Sequence, residues 1–195
     1  MFSQTTELSA NNSFSKVKAQ AFRPLVLALF IVLSLYYSWV LYLAAHPNVS
    51  TAYQTYYIEK KTRYWGKENM DLLWPEKGTI NVAEPSPFLS RQGWEPLPKG
   101  EGRELVHDAS LYFNFKKTPH SPVRIKLSLN QSITEPVYIS ANQGRKVMLM
   151  PLEINSLETT LPASVFLRAQ PIQQLQFETD ASLNIRQVTI TETVQ

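Results

Sequence analysis

The stretch VRIKLSL, residues 123–129, decides the fold. Val123, Ile125, Leu127 and Leu129 alternate with Arg124, Lys126 and Ser128, and a period of two over seven residues is the mark of a strand with one face in a core and the other wet. The same alternation spreads outward from it. Leu111, Phe113 and Phe115 stand against Tyr112 and Asn114, and Leu175 and Phe177 against Gln174 and Gln176. Leu183, Ile185, Val188 and Ile190 form a last strand whose phase slips between Ile185 and Val188, as at a β-bulge. Val137–Ser140 and Val147–Met150 flank ANQGR, residues 141–145, a hairpin with Asn and Gly where a tight loop needs positive φ. Val165–Arg168 adds another short run. Pro85, Pro87, Pro96, Pro98, Pro119, Pro122, Pro136, Pro151, Pro162 and Pro171 fall mostly between these runs and punctuate them. Seven to nine short strands with no helical period after about residue 66 predict an antiparallel β-sandwich or jelly roll over residues 79–195.

Ahead of the strands, residues 24–45 read PLVLALFIVLSLYYSWVLYLAA, with no charge, no Gly and no internal Pro. At 1.5 Å per residue this run spans about 33 Å, enough to cross a hydrocarbon core of about 30 Å. The alternative is a removed signal peptide. Against it stand the length of the apolar run, the long preceding tail, and Leu43 where a cleavage site wants a small residue. The expected organisation is therefore a mostly disordered polar tail over residues 1–23, a single transmembrane helix over 24–45, a juxtamembrane linker over 46–78 and the sandwich beyond. Lys16, Lys18 and Arg23 precede the helix, while residues 47–58 carry no charge, so the positive-inside rule puts the N-terminus in the cytoplasm. With no Cys anywhere in the chain, the expected location is a bacterial inner membrane, single-pass, with the C-terminal domain periplasmic. The lipid bilayer is then one partner. An integral-membrane protein is the other expected one, met through Ser34, Tyr37 and Ser38 on the helix and Tyr53 and Tyr57 beyond it.

The chain carries 19 Lys and Arg against 16 Asp and Glu. With Lys16, Lys18, Arg23 and Glu7 set aside in the tail, 16 basic residues face 15 acidic ones, and this near-neutral remainder does not suit nucleic acid as a partner. There is no Cys, which excludes disulfides and thiolate metal sites and suits a periplasm better than a disulfide-rich module. His46, His107 and His120 lack metal-ligand spacing, so no cofactor or metal is expected. No G-x-S-x-G elbow or glycine-rich phosphate loop occurs. Glu95, Glu101, Glu104 and Asp108 are close enough in sequence to pair as acid and base, but carboxylates in a Pro/Gly-rich loop are ordinarily solvated. The expectation is a non-enzyme.

The loop SRQGWEPLPKGEGRELVHDASL, residues 90–111, is the most distinctive segment. Gly93-Trp94, Gly102-Arg103 and Ala109-Ser110-Leu111 resemble a signature of β-sandwich domains appended to bacterial membrane glycosyltransferases and phosphoglycerol transferases. Glu104 stands where that signature has a second Trp, and no transferase domain is present. The resemblance implies an accessory sandwich on its own anchor, serving cell-envelope glycan synthesis or modification beside a separate membrane enzyme. It also implies a glycan as ligand, with Trp94 stacking on a sugar ring and Glu95 and Arg103 giving polar contacts. Two readings of these residues stay open: sugar contact, or a Trp94 that caps the core with Arg103 paired to a carboxylate. The alternative function is a structural or assembly subunit of an unrelated multi-subunit inner-membrane complex.

Overall fold

The computed structural model describes residues 7–46, 48–133, 135–166 and 172–193. The chain divides into two compact units, residues 1–48 and 49–195.

The first unit is one helix, α1 (Glu7–Ala45). Its stretch Arg23–Ala45 has a mean hydropathy of 2.1 and is long and apolar enough to cross a membrane. Residues 7–23, part of the stretch expected as a mostly disordered tail, belong to this helix as described. Lys16, Lys18, Ala19, Gln20 and Ala21 are good helix formers, and extending an existing helix costs less than nucleating one. Pro24 lies inside it and removes one backbone hydrogen bond where the polar and apolar halves meet. At the other end, His46 donates its backbone N–H to the Tyr42 carbonyl at 3.0 Å, and its ring stacks on Tyr42 at 4.6 Å.

The second unit is the sandwich. Among the described residues it has ten strands: β1 (Thr79–Asn81), β2 (Arg103–Leu105), β3 (Ala109–Phe113), β4 (Val123–Leu129), β5 (Val137–Ala141), β6 (Val147–Met148), β7 (Met150–Glu153), β8 (Ser156–Leu161), β9 (Gln173–Thr179) and β10 (Leu183–Glu192). One sheet runs β1-β10-β4-β8-β7, with β2 also paired to β10; the other runs β3-β9-β5-β6. Every pairing between these strands is antiparallel. This is the predicted all-β sandwich after a single N-terminal apolar helix.

Val123, Ile125, Leu127 and Leu129 of β4 are all buried, as are Ile185, Val188 and Ile190 of β10 beside them. They share one core with Leu111, Phe113, Leu175, Phe177, Val137 and Ile139 of the other sheet. The register of β10 against β4 shifts between Ile185 and Gln187, where the sequence phase slips. In the β5–β6 hairpin positive φ falls on Asn142 (49°) and Gln143 (60°), so Gln143 takes the place expected of Gly144. Asn142 fixes this turn: its amide donates to the Val165 carbonyl at 2.8 Å, and its oxygen accepts from the Gln174 N–H at 2.9 Å. Leu149, buried between β6 and β7, marks the point where the chain passes from the smaller sheet to the larger.

Two further stretches differ from the expected pattern. The run over 165–168 is not a strand where it is described; Ala163–Val165 is a 3-10 turn, and residues 167–171 lie outside the described residues. The supposed linker also joins the sandwich from residue 49 onward. Ala52, Leu72 and Trp74 are buried, and Asn114 beyond β3 donates to the Leu72 carbonyl and accepts from the Trp74 N–H, both at 2.7 Å. Those isolated bridges leave no hydrophobic period to read.

Candidate functional site

The 90–111 loop is built as an interlock. Gly93 has φ +83°, and a Cβ there would lie 2.3 Å from the Asp108 carbonyl oxygen. Trp94 pairs its backbone with Leu105. Its indole is 3% exposed, lies edge-on to Phe177 at 6.2 Å, and donates from Nε1 to the Ser110 carbonyl at 3.2 Å. Arg103 is 1% exposed. Its guanidinium donates to four backbone carbonyls: Val82 at 2.9 Å, Ala83 at 3.1 Å, Glu95 at 2.8 Å and Pro96 at 2.6 Å. The ring of Tyr64 lies 5.7 Å from the guanidinium carbon.

Trp94 offers no free face to a sugar ring, and the Arg103 fork is occupied by main chain. The core reading of Trp94 fits this geometry, with backbone carbonyls taking the place of the carboxylate expected for Arg103. Glu95 is exposed, with its backbone N–H bonded to the Glu104 carbonyl at 2.8 Å. Glu104 accepts from the Ser182 hydroxyl and lies 3.4 Å from Lys99; the hydroxyl bond, opposed by burial and assisted by Lys99, holds its carboxyl below the usual range. Glu101 faces Arg186 at 3.6 Å. No group of three metal-ligating side chains occurs among the described residues. On α1, Ser34, Tyr37 and Ser38 are exposed, and Tyr36 and Tyr37 meet edge to face at 5.7 Å. Tyr53 and Tyr57 pack together in the second unit at 4.9 Å.

A different surface gathers polar groups. Strand alternation that points Leu111, Leu175, Phe177 and Ile139 into the core places Ser110, Tyr112, Gln174, Gln176, Tyr138 and Ser140 on the opposite face of β3, β9 and β5, where the two serines are themselves buried. Register sets Tyr112 opposite Gln174, and Gln176 between Ser110 and Ser140. Two clefts of about 290 and 560 Å³ open on this face and share Lys61, Tyr112 and Gln174 in their walls. Asn142 and Gln143 close one, and Arg91, Asp108 and Gln176 line the other. Gln174 donates to the Ser110 hydroxyl at 3.0 Å.

The electrostatics of this face are mild. Lys61 is paired to Glu59 at 2.8 Å and its ammonium lies 5.8 Å from the Tyr112 ring centre. Burial raises the Tyr112 phenol above its ordinary value of 10.0, outweighing the Lys61 charge, so the hydroxyl is neutral at physiological pH and both donates and accepts. Burial alone would raise Glu59, but hydrogen bonds from Lys61 and Gln54, with the Lys61 charge, bring it below its usual value. Lys146 pairs with Glu178 at the margin. Amides, hydroxyls, a phenol and balanced charges can surround a polyhydroxylated ligand without committing to an ion. Alternation marked Tyr112, Gln174 and Gln176 as wet positions; what local spacing lacked was the β3-β9-β5 pairing that makes them neighbours.

No protein-family model and no curated protein sequence matches the chain. The resemblance to transferase accessory domains thus rests on the quoted residues alone. Among solved structures the chain is similar to the family GH115 4-O-methyl-α-glucuronidase BtGH115A, with specificity for decorated arabinogalactans, at 15% identity and a TM-score of 0.34. That match covers 48% of this chain and only 14% of the glucuronidase. A family 6 carbohydrate-binding module is similar at 8% identity and a TM-score of 0.37, over 59% of this chain and 93% of the module.

Proposed function

We propose that this chain is a membrane-anchored, non-catalytic glycan-binding protein of a bacterial cell envelope, working beside a membrane enzyme that builds or modifies that glycan. The observation that carries the reading is the outer face of β3-β9-β5, where Tyr112, Gln174, Gln176 and Ser110 line two confluent clefts. A sugar's hydroxyl rim needs groups that both donate and accept, and side-chain amides and hydroxyls supply them. The face, and not the Trp94 loop, is the binding surface in this reading. Its location outside the cytoplasm is supported by the basic residues Lys16, Lys18 and Arg23 ahead of the apolar run.

The test is calorimetric titration of the full chain in lipid nanodiscs with neutral and acidic envelope oligosaccharides. Gln174→Ala combined with Gln176→Ala removes two hydrogen-bonding groups and lowers affinity at least about tenfold, at roughly 1 kcal/mol each. Binding unchanged in this variant, or absent from the parent across the panel, overturns the reading.

A second reading, as a structural subunit, is favoured by one observation. Met148, Met150, Leu152 and Ile154 are exposed at every second position along β6, β7 and the turn after them, and β7 ends its sheet. Exposed apolar side chains this close along the chain suit protein contact. Purification from native membranes in mild detergent with a stoichiometric integral-membrane companion that is lost on Met150→Ser and Leu152→Ser supports it; a companion retained by that variant counts against it.

A further inference from the structure

A second exposed apolar surface lies where the sandwich begins. Residues 51–53 form a helical turn that runs into one π-helical turn over 54–58, closed by the Glu59 N–H on the Gln54 carbonyl at 2.8 Å. The wider turn groups Tyr53, Tyr56 and Tyr57 around Trp65, with ring centres 4.8 to 6.1 Å apart. Met70 extends the cluster, since its sulfur meets the Ser50 hydroxyl at 3.4 Å and its carbonyl accepts from Ala52. Tyr53, Tyr57, Ile58 and Met70 are 41 to 51% exposed.

We propose that these four side chains form a lipid-facing patch seated in the headgroup layer of the bilayer that holds α1. The proposal rests on the reading of α1 as a membrane span. Tyr53 comes eight residues after Ala45, the last residue of the apolar helix, and residues 48–58 carry no charge. A bilayer that holds the helix therefore leaves this segment within reach of its surface. The chemistry suits that depth: tyrosine rings are apolar in body and polar at the tip, the combination that collects at membrane interfaces. Exposed Lys60 and Lys67 follow the cluster in sequence and suit phosphate headgroups. Packing of Tyr53 and Tyr57 against Trp65 presents the rings as a ready-made surface, so little side-chain freedom is lost on docking. The patch is thus a second hold on the membrane, and Tyr53 and Tyr57 meet lipid in place of the protein partner expected for them.

The absence of cysteine makes the test direct. Ile58→Cys and Met70→Cys, both at exposed positions, are spin-labelled in the full chain and reconstituted at low density into phosphatidylcholine–phosphatidylglycerol vesicles. Collision rates with oxygen and with a water-soluble nickel chelate are then compared with labels at Leu33→Cys in the apolar helix and Glu101→Cys in a polar loop. The expected result is nickel collision at 58 and 70 several-fold below that at 101, independent of protein density. Nickel collision equal to that at 101, with the Leu33 label still rich in oxygen, overturns the patch and leaves the span standing. Dipolar broadening at 58 and 70 that grows with protein density assigns the surface to a second copy and overturns lipid docking. A water-exposed Leu33 label overturns the span and the patch with it.

Discussion

Arg103 Nε donates to the carbonyl oxygen of Val82 across 2.9 Å, and its terminal nitrogens reach Ala83, Glu95 and Pro96. One side chain of β2 thus ties the segment after β1 to the loop after Trp94. A buried carbonyl left without a donor costs about 1–3 kcal/mol. Arg103→Ala is therefore expected to destabilise the domain by at least about 3 kcal/mol, and Arg103→Lys to recover little of it, because the donors of an ammonium radiate from a single nitrogen and cannot reproduce the planar fork that reaches four carbonyls. Urea unfolding of both variants decides this; a Lys variant as stable as the parent would show that the fork geometry is dispensable.

Trp94 belongs to the same interlock, and its replacement separates packing from ligand contact. Trp94→Ala is expected to lose about 3–5 kcal/mol, the usual cost of removing a large buried aromatic. Trp94→Phe keeps a ring near Phe177 and loses chiefly the bond to the Ser110 carbonyl, about 1 kcal/mol. Thermal unfolding read beside oligosaccharide titration is the check. A Trp94→Ala protein that keeps its stability but loses a ligand would restore sugar stacking at this residue.

Glycines in the loop divide by what surrounds them. A Cβ at Gly93 meets main chain of Asp108 and Ala109 within 2.6 Å, whereas one at Gly100 meets nothing within 4 Å. Both have positive φ, so Gly100→Ala is expected to cost only the conformational penalty of about 1–2 kcal/mol. Gly93→Ala carries the same penalty plus displacement of β3 at Ala109, and should cost clearly more. Equal urea midpoints for the two variants would refute the close-approach argument.

What could be read from the residues was what repeats locally. β4 shows as VRIKLSL because a half-buried strand forces alternation, and the slip between Ile185 and Val188 shows because a bulge shifts that alternation by one. Arg103 could not be read as a core residue, since its partners are carbonyls, which look alike in every sequence. Residues 49–78 escaped for a related reason: they join the sandwich through isolated bridges such as Thr62 with Ser90 and Leu73 with Asn114. The polar face had its members visible as the wet phase of β3 and β9, but Gln176 lies between Ser110 and Ser140 only through pairings spanning 66 and 36 residues of chain.

Acid should loosen the domain through carboxylates that fold into bonded positions. Backbone N–H groups of Ser121 and His120, each 2.6 Å from Glu192 Oε1, hold that carboxyl below its ordinary value of 4.5; Glu59 and Glu104 are lowered as well. A lowered folded-state pKa means that around 4.5 the unfolded chain binds more protons than the folded one. The stabilising contribution is thus complete above the ordinary value and is lost as pH falls through the lowered ones. Urea midpoints are expected to hold steady from neutral pH and then decline below about 4.5. Glu192→Gln keeps an acceptor for both N–H groups but has no proton to take up at this site, so its midpoint should decline less steeply. An identical acid slope in parent and variant would remove Glu192 from the account and leave the decline to other carboxylates.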